Sequence, residues 1–147
     1  MSSIKFIERT FNKIGNQSEV SFFDVLIDGN SLYDQFNLDQ SRKVCQFGYY
    51  RNKQLNIDTI NEFLKIKPSE LETGRTMLFI CRECGDIGCG AITLEIEKTK
   101  TAFIWKKFAY ENNSFALDES SYIDHLPIEI NRAEYETEFE KLKKNWF

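Results

Sequence analysis

The chain has 147 residues, 41% hydrophobic, 29% charged and 14% aromatic, with 7 Gly and 2 Pro. This composition excludes disordered, collagen-like and low-complexity classes and fits one soluble globular domain. No apolar run reaches the ~18 residues of a membrane span, and the opening MSSIKFIERT lacks a signal-peptide core. A single cytoplasmic domain over residues 1–147 is therefore expected, with no membrane partner.

The expected fold class is α+β: an antiparallel sheet of about five or six strands, with a C-terminal helix and a short middle helical segment packed on it. Ile4–Glu8 and Val20–Ile27 read as strands, the second rich in β-branched and aromatic residues. Asp28-Gly29 follows, a dipeptide suited to a tight hairpin turn. Leu32–Phe36 reads either as a returning strand or as a helical turn. Asn56 or Asp58 is expected to cap a helix ending near Leu64, with Ile57, Ile60, Phe63 and Leu64 on one face. Pro68 is expected to open a second short helical turn, PSELE, closed by Gly74. Thr76–Cys81, Ala91–Glu97 and Thr101–Phe108 predict a three-strand meander. In it Ile92, Leu94 and Ile96 alternate with Thr93, Glu95 and Glu97, one face buried and one wet. Phe103, Ile104 and Trp105 are consecutive, so alternation does not assign Trp105 a face. Asn131 and Glu134 have capping-box spacing at the start of a last helix. Tyr135, Phe139, Leu142 and Trp146 form its apolar stripe, with Lys141, Lys143 and Lys144 late, where they complement the helix dipole.

The stretch Cys81–Gly90, CRECGDIGCG, holds three of the four cysteines. In a cytosolic chain these are thiols or metal ligands rather than disulfides. Cys81, Cys84 and Cys89 are candidate zinc ligands, with Cys45, His125 or Asp86 as candidates for the fourth position of a tetrahedron. A redox dithiol at Cys81 and Cys84 is the second reading, although such motifs open helices and Gly85-Asp86 follows here. The third is that the thiols act as small buried hydrophobes while the glycines serve the turn.

No GxSxG, HExxH, GxGxxG or GxxxxGK[ST] pattern occurs, and any His-dependent mechanism would have to use His125. An enzyme is not expected. Residues 111–140 carry nine Asp and Glu against Arg132 alone. That segment repels phosphate backbones, so no nucleic-acid partner is expected. It reads as a solvated helix face with an acidic loop, or as a surface that steers a basic protein. In the second case Glu111, Asp118, Glu119, Asp124 and Glu129 would meet Lys or Arg, and Tyr122 would anchor the contact.

Cys81, Cys84-Gly85-Asp86, Gly88-Cys89-Gly90, Trp105, Phe108 and Glu111-Asn112 together resemble the CxxCGDxGCG…WxxFxxEN pattern of a little-characterised bacterial family. The match covers about a quarter of the chain, and the family carries no established activity. The small acidic α+β build also resembles immunity proteins of bacterial toxin systems such as contact-dependent growth inhibition. That resemblance implies an intracellular protein-binding module that neutralises a cognate toxin, such as a nuclease, and needs no cofactor. A zinc-binding or thiol-redox protein built on the cysteine loop is the alternative.

Overall fold

The computed structural model describes residues 1–112, 117–118, 125 and 127–146. Strand β1 (Ile4–Phe11) pairs antiparallel with β2 (Val20–Ile27) along its whole length, from Ile4 opposite Ile27 to Phe11 opposite Val20. β1 thus runs past the expected Glu8. Asp28 and Gly29 lie at φ 52° and 83°, the two positive values that a tight hairpin turn of the right twist requires. The return is shared between two elements. Asn30–Ser31 form the short strand β3, and Ser31 then caps a single helical turn, α1 (Leu32–Gln35), by accepting the Asp34 N–H.

The second sheet has the order β4 (Lys43–Cys45), β5 (Thr76–Cys81), β6 (Ala91–Lys98), β7 (Ala102–Glu111) and β8 (Ile128–Asn131), antiparallel throughout. The meander is therefore present, inside an α+β fold of two antiparallel sheets. Its expected wet face is corrected at one position: Thr93 is fully buried. The reason is a polar cluster laid over it. Arg75, itself 4% exposed, donates from Nε to Thr93 Oγ1 (2.9 Å) and from Nη2 to the carbonyls of both Thr93 and Lys107. The Thr93 hydroxyl donates onward to Glu111 (3.0 Å), which also accepts from Thr73.

Strand β7 gains one residue against β6 between Ala109 and Lys106. Lys107 takes up the irregularity at φ 54°, the signature of a β-bulge. The extra residue shifts the alternation, so Phe103, Trp105 and Phe108 all reach the interior. Trp105 thereby gains its face. Its Nε1 donates to the Tyr135 hydroxyl (3.1 Å), which donates to the Phe63 carbonyl (2.7 Å). A buried indole and phenol need such partners.

Helix α2 (Lys53–Phe63) starts one turn earlier than Asn56, because Asn52 supplies the cap and accepts the Leu55 N–H. Asn56 is instead buried and holds Tyr50 through both of its backbone polar groups. Residues 68–72 form no helix. Ser69 bonds to the Arg75 carbonyl and accepts the Leu71 N–H, the local competition with helix that serine offers. Helix α3 (Arg132–Lys143) begins as expected, with Asn131 accepting the Glu134 N–H. Glu134 does not complete the box; its carboxylate accepts from the Ser3 hydroxyl (2.6 Å). Tyr135, Phe139 and Leu142 are buried; the Trp146 side chain lies outside the described residues. Rings of both sheets and both longer helices meet in one core: Phe139 lies 4.8 Å from Phe6 and 5.4 Å from Phe47, and Phe63 lies 5.4 Å from Trp105. No helix among the described residues is long and apolar enough to cross a membrane.

Candidate metal centre

Strands β5 and β6 are antiparallel neighbours, so the end of one and the start of the other lie side by side. Cys81 is the last residue of β5, and Cys89 stands two residues before β6. The connection folds on itself by short backbone bonds. The Gly85 N–H reaches the Cys81 carbonyl (2.9 Å), while Asp86 accepts the Gly88 N–H in its side chain and the Cys89 N–H in its carbonyl. Gly85 at φ 65° and Gly90 at φ 87° permit these bends, and a Cβ on Gly90 would collide with the Tyr110 ring and hydroxyl. The sulfurs of Cys81, Cys84 and Cys89 come within 4.8 Å of one another, Cys81 half-buried and the other two exposed. Cys84 and Cys89 are 2.9 Å apart, longer than a disulfide.

Two side chains that the spacing of cysteines does not reveal hold this loop. Arg82, between the first two cysteines, is 4% exposed and donates to the carbonyls of Gln40, Asn12 and Ser18. It ties the loop to the segments before β2 and β4. The Tyr49 hydroxyl donates to the Arg82 carbonyl (2.8 Å), and its ring packs against Gly85. Both residues read in sequence as ordinary surface chemistry, so only the fold reveals their part.

The electrostatics of the cluster set Cys81 and Cys89 apart. Partial burial opposes ionisation of Cys81, but the N–H groups of Cys84 and Glu83 and the thiols of Cys84 and Cys89 outweigh it, so Cys81 ionises below its ordinary range. Cys84, with some burial and the charge of Cys81, pushes the Cys89 thiol up to about 12. Three thiolates this close repel one another, and a divalent cation removes that repulsion. A tetrahedral zinc with bonds of about 2.3 Å sets sulfur–sulfur distances of about 3.8 Å. Cys84 and Cys89 need to part by roughly 1 Å to meet it.

The expected fourth ligands are not brought to the site. Cys45 is fully buried on β4 opposite Phe79, and burial holds its thiol protonated. His125 stacks on Phe36, ring centres 4.1 Å apart. The Asp86 carboxylate serves the turn. Among the described residues only the three cysteines form such a group.

The acidic segment is more dispersed than its charge count suggests. Glu111 is corrected from a partner-facing residue to a buried one, since it closes the Arg75 and Thr93 cluster. Glu136 pairs with Arg132, Glu138 with Lys5 and Lys141, and Glu140 with Lys143. Asp118 and Glu129 are exposed. Glu119, Tyr122 and Asp124 lie outside the described residues. No family model, curated protein or solved structure matches the chain.

Proposed function

We propose that this chain is a metal-binding α+β domain that holds zinc through the sulfurs of Cys81, Cys84 and Cys89. The observation that carries the reading is the convergence of three sulfurs within 4.8 Å on one strand-to-strand connection. Thiolate donors suit zinc among the common divalent ions. The glycine bends, the Asp86 turn and the Arg82 anchor hold the sulfurs together before any ion arrives, which lowers the ordering cost of binding. A redox pair requires two such thiols; the third sulfur and the strand-end setting favour a metal.

Native mass spectrometry after zinc addition tests the reading. The expected result is one zinc per chain, abolished in Cys84→Ser and in Cys89→Ser, with the three thiols protected from alkylation. A bare-chain mass with three freely alkylated thiols would refute it.

A protein-partner reading, an immunity protein that blocks a toxin, draws support from the exposed Asp118 and Glu129. Its test is co-purification with, and growth rescue from, a toxin encoded by a neighbouring gene.

A further inference from the structure

Beside the cysteine cluster lies an open cleft of about 220 Å³, into which Cys81 and Cys89 both face together with Arg42 and Lys43. The cleft is formed where β4, entering through Arg42 and Lys43, pairs with the last residues of β5; Lys43 stands opposite Cys81 in the register. One acidic side chain, Glu83, borders the same space. Its carboxylate is held by Gln17, whose Nε2 lies 3.0 Å from Glu83 Oε1 and 2.8 Å from the Ser41 carbonyl. Two cations and two sulfurs thus share the cleft with a single carboxylate that already has a donor.

We propose that the fourth coordination position of the metal opens into this cleft and takes a small anionic donor from outside the chain, steadied by Arg42 and Lys43. The inference rests on the three-cysteine reading of the site. Three protein ligands with a fourth position left for solvent or a ligand is the arrangement of exchangeable zinc sites. Zinc with three thiolates carries one net negative charge. An incoming anion raises that to two, and the Arg42 and Lys43 side chains offset the increase. Cys84 and Cys89 are exposed, so the ligand reaches the metal without displacing core side chains. Coordination exchanges one ligand for another and needs no oxidant or reductant.

Cobalt(II) in place of zinc gives the readout. The intact chain is loaded with cobalt and titrated with azide as the anionic probe and imidazole as the neutral one, following the visible bands. The expected result is sulfur-to-cobalt charge-transfer absorption, with d–d bands that shift saturably with azide and at lower concentration than with imidazole. The Arg42→Gln, Lys43→Gln double variant should weaken azide binding roughly fivefold or more and leave imidazole binding and the charge-transfer bands unchanged. Charge-transfer bands that azide does not move indicate a closed site, which overturns this inference alone. Azide binding indifferent to the double variant overturns the role of the two cations. Absence of sulfur-to-cobalt bands overturns the metal reading itself. The azide and imidazole comparison on the unmodified chain stands even if the double variant folds poorly.

Discussion

Glu111 is 6% exposed and lies between Thr73, Thr93 and Arg75, its Oε1 3.7 Å from the Arg75 Nε. Removing one member of such a group leaves the others buried and poorly partnered. Glu111→Ala should therefore lower the unfolding free energy by about 3 kcal/mol, read from the urea midpoint. Glu111→Gln, which keeps an acceptor for the two threonine hydroxyls, should cost less. A Glu111→Ala midpoint equal to that of the parent would show that the carboxylate acts at the surface instead. Arg75 faces the same constraint from the other side, because its guanidinium also satisfies the Lys107 carbonyl at the bulge.

Helix α2 carries a pH dependence. Burial, and then the charge of Glu70, raise the Glu62 carboxyl to about 7 from an ordinary 4.5. The folded chain thus holds this proton more tightly than the unfolded chain does. The stability it contributes is full below the unfolded pKa and is lost as pH rises from about 4.5 through about 7. Solvent screening of the partly buried group reduces the effect to about 1–2 kcal/mol. Glu62→Gln should match the parent near pH 4 and exceed its stability by that amount at pH 8, by denaturant unfolding at each pH; parallel profiles would refute the assignment. At this scale the sequence was readable wherever the determinants were local. The β-branched and aromatic run of β2, the Asp28-Gly29 turn, the Asn131 cap and the bent cysteine connection all follow from neighbours a few residues away. It was unreadable where a distant partner decided. Thr93 is buried because Arg75, 18 positions earlier, covers it. Asn52 caps α2 while Asn56 turns to Tyr50, a choice between two asparagines that only the packing of Tyr50 makes. The three sulfurs were legible in their spacing, whereas Arg82 and Glu83 between them look like any solvated charges.

Over the whole molecule, the cysteine connection joins two strands of a sheet whose aromatic core is built from other residues. The rings of Phe6, Phe47, Phe63, Trp105 and Phe139 pack between the sheets and helices, away from the loop. Zinc binding should therefore raise the melting temperature rather than create the fold. Saturation at about a hundred times the dissociation constant contributes about 2.7 kcal/mol, which is about 5–10 °C for a domain of this size. Thermal melting followed by circular dichroism should show that rise. Chelator should reverse it and leave the chain folded at 25 °C; unfolding on chelation would mean that the ion organises the core.

The single surplus residue at Lys107 has a consequence for how this chain can change over generations. Its positions before and after Lys107 obey opposite parities. Deleting Lys107 would restore an unbroken two-residue rhythm with Phe103, Trp105 and Phe108 still on one face, yet would remove the carbonyl that the buried Arg75 bonds. A shortened strand there would gain regular pairing and leave a cation without its acceptor, so descendants that lose the surplus residue should also lose the charge at position 75.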